Sequence, residues 1–207
     1  MIDDQKPRPP EIFIEAASLL QIQNKARVPG AGSEIDLRRL LGQNPGFAFR
    51  LMAIGSFDRD SGWRIVYAPL SISGTGEFDA PKSFNGTTFA AGVLTRGNYR
   101  FDSYRATYWR RMRGSERSHW RFGYTLKVRD AEIGLRQAGV RDRSRNTGIV
   151  PLLHVSGTYR LGANTDLLVD FDGLIAPQGS ALDLGVFVRR QFGARVGGFL
   201  GVRGLYG

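Results

Sequence analysis

The stretch Ser118-His119-Trp120-Arg121-Phe122-Gly123-Tyr124-Thr125-Leu126-Lys127-Val128-Arg129 decides how the rest of the chain is read. Trp120, Phe122, Tyr124, Leu126 and Val128 fall on one parity, and Arg121, Thr125, Lys127 and Arg129 on the other. Successive side chains of a β-strand point to opposite faces, so one face is apolar and the other cationic. The apolar parity spans about nine residues, the length a tilted transmembrane strand needs, and it opens on a Trp where an interfacial aromatic girdle sits. The run before the polar turn Arg113-Gly114-Ser115-Glu116-Arg117-Ser118 carries the same code: Tyr104, Ala106 and Tyr108 against Ser103, Arg105 and Thr107.

The alternation recurs along the chain. Ile12, Ile14 and Ala16 alternate with Glu15 in a first strand expected over Glu11 to Gln23. Phe47, Phe49, Leu51 and Ala53 share a parity in the second, and Asp58-Arg59-Asp60-Ser61-Gly62 reads as a turn into Trp63 to Gly76. Pro69 cannot donate to a ladder and predicts a bulge or a shift of phase there. Phe84-Asn85-Gly86-Thr87 is a hairpin signal inside the long connection Glu77 to Thr95, predicting a small β-flap that stands out. Beyond Arg129 the parity inverts, with Ala131, Ile133 and Leu135 apolar and Asp130 and Glu132 on the formerly greasy side, which predicts a bulge or emergence from the membrane. Gln137 to Asn146 reads as a solvated loop, and Glu34 to Leu41 as a helical turn or a strand extension. Further runs are Ile149 to Arg160, Thr165 to Ala176, Ala181 to Phe192 and Arg195 to Tyr206.

A chain of 207 residues suits one barrel domain over residues 11 to 207, behind a poorly ordered, proline-rich lead-in over residues 1 to 10. Gly at 27 residues and aromatics at 11% suit twisted strands and tight turns. The absence of Cys excludes disulfides, thiolate metal sites and thiol nucleophiles. The formal charge of +10 raises nucleic acid as a partner, but the arginines alternate with apolar residues inside strands instead of gathering on one stacking patch, so no nucleic acid is expected. No apolar run is long enough for a transmembrane helix, and no signal peptide is visible after Met1. The fold class is therefore all-β, an antiparallel up-and-down transmembrane β-barrel of about eight to ten strands.

Tyr99-Arg100-Phe101-Asp102-Ser103-Tyr104-Arg105, the run Leu126 to Ile133 and Ala176-Pro177-Gln178-Gly179 resemble a family of uncharacterised proteobacterial outer-membrane β-barrel proteins, with weaker similarity over Tyr67 to Leu70 and Phe84 to Phe89. The resemblance implies residence in the cell outer membrane, contact with its lipid and lipopolysaccharide, insertion by the barrel assembly machinery, and no catalytic residues. Such barrels end on a strand with a terminal aromatic residue. The ending Leu205-Tyr206-Gly207 and the count of about nine strands, where an even number is usual, predict a further strand past Gly207. A monomer is expected.

Arg105, Arg121, Lys127, Arg129 and Arg189 share the predicted lumen with Asp166, Asp170, Asp172 and Asp183, as a salt-bridged plug or as a path for ions. Tyr104, Tyr108, Trp120, Phe122, Tyr124, Leu126 and Val128 are the predicted lipid-facing residues. His154-Val155-Ser156 places an imidazole and a hydroxyl on one parity, an arrangement also superficially like the His-x-Ser of lipid A deacylases, but no acid partner to orient the imidazole is visible in sequence. No enzymatic activity, cofactor or metal site is therefore expected, with acyl hydrolysis as the alternative. His119 reads as interfacial. Asp58 to Gly62 lacks the spaced ligands of a calcium loop, and Arg141, Arg143 and Arg145 are solvated or meet lipopolysaccharide phosphates. A soluble calycin-like barrel around a small apolar ligand would need the greasy parity to point inward.

Overall fold

The computed structural model describes residues 9–27, 32–42, 46–177 and 179–207. The expected lead-in lies almost entirely outside the described residues, as does Gln178 of the predicted Pro177 turn. In chain order the elements are β1 (Glu11–Leu19), β2 (Lys25–Arg27), β3 (Glu34–Asp36), α1 (Leu37–Leu41), β4 (Gly46–Ser56), β5 (Ser61–Ala68), β6 (Ser71–Gly76), β7 (Lys82–Phe84), β8 (Thr87–Phe89), β9 (Thr95–Arg111), β10 (Ser118–Gln137), β11 (Val140–Gly162), β12 (Thr165–Ala176), β13 (Gly179–Gln191) and β14 (Gly197–Tyr206).

The main sheet runs β1, β4, β5, β9, β10, β11, β12, β13, β14, antiparallel at every step, with β6 lying beside β9 in line with β5. It curls until distant strands touch. Arg50 of β4 meets Asp183 of β13 at 2.7 Å, and Arg203 of β14 meets Glu15 of β1 at 3.0 Å. The rings of Phe13 and Phe199 lie 6.2 Å apart across the same seam. Among the described residues side chains alone bridge β1 and β14, because no backbone ladder joins them.

The register stacks the outward face of β5, β9, β10 and β11 into layers. Trp63, Tyr108, Tyr124 and Leu153 form one, Ile65, Ala106, Leu126 and Pro151 the next, and Tyr67, Tyr104, Val128 and Ile149 the third. Tyr124 is 64% exposed and Leu126 52% on this face. Inward from the same strands point Arg64, Arg105, Thr107, Thr125 and His154, all buried. Polar inside and apolar outside is the reverse of a soluble barrel, and it suits a wall whose outer solvent is hydrocarbon. The greasy parity thus points outward, opposite to what the calycin-like alternative requires. The fold is an antiparallel up-and-down transmembrane β-barrel.

Above the third layer the rule inverts without a bulge. The pairing of β10 with β9 and β11 is unbroken from Arg121 through Gln137, so the parity change at Arg129 is a change of surroundings. Ile133 and Leu135 stay on the inward face but meet an apolar core of Ile35, Leu37, Leu40, Leu41, Ile72, Phe78, Phe84 and Phe89. This cap is built as a water-soluble protein is, apolar inside. Glu34 to Leu41 is both a strand and a helical turn, with the Asp36 carboxylate accepting from the Arg39 amide at 3.2 Å as an N-cap.

Four expectations change here. Gln137 to Asn146 is no loop: β10 and β11 continue to a two-residue turn at Ala138 and Gly139, whose φ of 41° and 86° place both in the left-handed region that primed hairpin turns need. Nor does the Asn85-Gly86 hairpin stand out. Phe84 and Phe89 anchor it in the cap, and the Thr87 hydroxyl donates to Asp142 at 2.6 Å. Pro69 interrupts the strand but inserts nothing, since Ala68 faces Ser103 and Ser71 faces Arg100, three steps on along both strands. The first strand ends at Leu19 rather than Gln23.

Each of the three tryptophans lies across a glycine directly opposite on the neighbouring strand. Trp63 covers Gly55, Trp109 covers Gly62, and Trp120 covers Gly157, and a Cβ at any of these glycines would sit 2.2 to 2.5 Å from the ring. The missing side chain is what lets the ring lie flat on the sheet.

Candidate functional site

The lumen at mid-height is filled by charge. Asp172 of β12 accepts from Arg105 at 2.7 Å and from Arg64, both on its Oδ2. Asp183 of β13 accepts from Arg50 at 2.7 Å, Arg105 at 2.6 Å and Arg203 at 2.5 Å. Asp170 takes Arg64 at 2.9 Å and Arg203 at 3.2 Å, and Arg203 also reaches Glu15. Four guanidiniums therefore face four carboxylates: Arg50, Arg64, Arg105 and Arg203 against Glu15, Asp170, Asp172 and Asp183. Buried charges on this scale are tolerable only when paired and hydrogen-bonded. The hydroxyls of Ser103, Thr107 and Thr125 add to the pairing, with Arg105 Nε donating to Ser103 at 3.1 Å and Thr125 Oγ1 donating to Asp172 at 3.1 Å, while Arg50 Nη1 is buried without a partner among the described residues.

Of the nine predicted lumen residues, this network unites Arg105, Asp170, Asp172 and Asp183. Arg189 and Asp166 pair with each other at 2.7 Å nearer the short turns. Arg121 lies 4.6 Å over the Trp109 ring, Lys127 5.0 Å over the Phe101 ring, and Arg129 donates to Asn146 at 3.0 Å. Sequence reasoning missed Arg50, Arg64, Arg203 and Glu15. The signal was present: Arg50 sits between Phe49 and Leu51, and Arg64 between Trp63 and Ile65, each on the parity opposite the greasy one. Of the predicted lipid-facing residues, Tyr104, Tyr108, Phe122, Tyr124 and Leu126 are exposed on the outward face. Val128 is half-buried in its layer, and Trp120 is half-buried over Gly157.

The structure supplies the acid partner that the sequence did not reveal for His154. Asp172 faces His154 across the β11–β12 ladder, with His154 Nδ1 2.9 Å from Asp172 Oδ1 and His154 Nε2 3.0 Å from Ser156 Oγ. The spacing is that of a Ser-His-Asp relay, but the surroundings oppose catalysis. In such a relay the carboxylate stabilises the imidazolium that forms as the hydroxyl loses its proton. Here Asp172 already answers two guanidiniums, and His154 is 0% exposed. His154 is thus hydrogen-bonded at both ring nitrogens, to a carboxylate of the charge network and to Ser156.

Below the network, toward the short turns, lies a cavity of about 280 Å³ lined by Phe13, Met52, Phe187 and Phe199 together with Arg121 and Ser156. His119 lies on its rim. Asp58 at the nearby turn spends its oxygens locally, accepting from the amides of Asp60 and Ser61 at 2.8 Å and from the Ser61 hydroxyl at 2.6 Å, which makes it a turn cap.

Above the apolar band a second cluster surrounds Asp130. Arg145 donates to both its oxygens at 2.8 and 2.7 Å, Thr147 donates at 2.9 Å, and Arg100 lies 3.1 Å away. The Arg145 and Thr147 hydrogen bonds hold the Asp130 carboxyl down to about 2. Because the folded state favours the ionised form, the cluster's contribution is complete above the ordinary carboxylate value and is lost as pH falls toward 2. Carbon-detected NMR titration of the side chain is expected to show its midpoint near pH 2; a midpoint near 4 would remove the cluster's role.

No family model and no curated protein matches the chain. Among solved structures it is similar to Ail, the attachment invasion locus protein of Yersinia pestis, in a complex with the heparin analogue sucrose octasulfate. The TM-score is 0.45 at 13% identity, covering 94% of this chain and 97% of that one.

Proposed function

We propose that this chain forms a single barrel domain of the cell outer membrane, over residues 11 to 207, that acts as a structural or binding protein and not as a conduit. The observation that carries the reading is the inside-out wall: three apolar layers face outward around a lumen filled by the network of Arg50, Arg64, Arg105, Asp172 and Asp183. A lumen sealed by paired charges offers no continuous water path, and a barrel of this size has little free interior to begin with. Short turns join β4 to β5, β11 to β12 and β13 to β14 at one end, and the cap crowns the other. In outer-membrane barrels the longer connections face the cell exterior. The cap is then the displayed surface, lipopolysaccharide its neighbour, the barrel assembly machinery its inserter, and the monomer its working state.

Flotation with phosphatidylcholine vesicles is the test. The folded chain is expected to rise with them and to keep Lys127 shielded from an amine-reactive label. Recovery of a folded monomer from detergent-free buffer, with Lys127 fully labelled, would overturn the reading. The same preparation is expected to leave lipid A intact over hours; acyl release that Ser156→Ala and His154→Ala both abolish would reinstate a hydrolase.

A further inference from the structure

The outward face of the projecting hairpin carries a row of like charges that folding alone does not explain. The register sets Arg96 of β9, Arg136 of β10 and Arg141 of β11 directly side by side, with Arg143 two residues further along β11. All four are exposed. Their side chains make no ion pair or hydrogen bond among the described residues. Like charges placed directly opposite on neighbouring strands are destabilising. One layer lower, by contrast, Arg100 and Arg145 are answered by Asp130 and Glu132. The upper row has no such answer among the described residues.

We propose that this row binds the acidic groups of a membrane-borne glycolipid, carried on a saccharide headgroup of several sugars. The inference rests on the membrane reading above and deepens it. Height above the membrane selects the ligand. The row stands on the same outward face as the apolar layers and is eight residues along β10 from Val128 to Arg136. At about 3.3 Å per residue and a tilt of about 45°, that places it roughly 19 Å above the last apolar layer, and Arg143 roughly 14 Å above it. Phospholipid headgroups occupy only about 5 to 8 Å beyond the hydrocarbon. They end at the level of Asp130 and Arg145. A phosphate or carboxylate that reaches the arginine row must be raised on sugars, and guanidiniums set side by side suit its multiple oxygens.

The protein in zwitterionic detergent micelles, titrated with lipopolysaccharide bearing a phosphorylated core oligosaccharide, tests this. Replacing the four arginines with Gln (R96Q, R136Q, R141Q, R143Q) is expected to weaken binding by roughly six hundredfold, at about a factor of five per cation. Binding to lipid A stripped of its core, or to phosphatidylglycerol, should be unchanged by the same substitutions. Wild-type affinity for the lipopolysaccharide should also fall roughly tenfold between 50 and 200 mM salt, a readout independent of how the variant folds. Salt-insensitive binding, equal affinity in the variant, or equally tight binding of a soluble polysulfated saccharide would each overturn the proposal. Failure of the wild type to float with plain phosphatidylcholine vesicles would remove the membrane reading and this inference with it.

Discussion

Asp172→Asn is expected to destabilise the folded barrel by about 3 to 5 kcal/mol, the cost of breaking a buried ion pair from one side. The substitution keeps the shape of the side chain but removes the charge that answers Arg64 and Arg105, and it leaves one acceptor oxygen where Arg64, Arg105, His154 and Thr125 share two. Urea unfolding in micelles, followed by heat-modified gel mobility, would measure it. Adding Arg64→Met is expected to restore a large part of the loss, because an apolar replacement of both partners leaves fewer stranded charges; Arg105 keeps Asp183. If the single variant were as stable as the parent, the network would be loosely hydrated and the lumen not sealed.

Leu126→Arg places a charge at the middle of the outward face, between Ala106 and Pro151. In hydrocarbon such a substitution costs about 2 to 4 kcal/mol. The expected result is a loss of that size in vesicle-embedded unfolding measurements, with Lys substituted at exposed Val140 beyond the band nearly neutral. In a water-soluble barrel Leu126→Arg would be neutral or improve solubility. The sign of this one measurement therefore separates two solvents for the same surface.

The wall was legible because it is local. A strand between hydrocarbon and a polar interior must alternate, and Tyr104 to Tyr108 or Trp120 to Val128 show that within a dozen residues. The lumen was legible only as a parity. Arg64 and Asp172 are 108 residues apart in sequence, and Arg50 and Asp183 are 133 apart, so their meeting depends on how far the whole sheet curls. The same limit hid Asp172 from His154: the two are neighbours through ladder register, which single-strand patterns do not encode. The cap was misread for a different reason. Gln137 and Asp142 are polar residues that look solvated, yet Gln137 is buried with its amide donating to Thr95 at 2.7 Å and to Ala90 at 2.9 Å. Leu37, Leu40 and Leu41 belong to a five-residue helix too short to announce a period.

The indoles on their glycines also make the barrel a recorder of its own assembly. A ring can settle on Gly55, Gly62 or Gly157 only after the opposite strand has arrived in register, so each tryptophan reports one seam: Trp63 the join of β4 and β5, Trp109 that of β5 and β9, Trp120 that of β10 and β11. Three single-tryptophan proteins, refolded into vesicles and followed by emission, would time those joins separately. Because Gly55 and Trp63 lie closest in sequence, across the short turn between β4 and β5, the Trp63 signal is expected to change first.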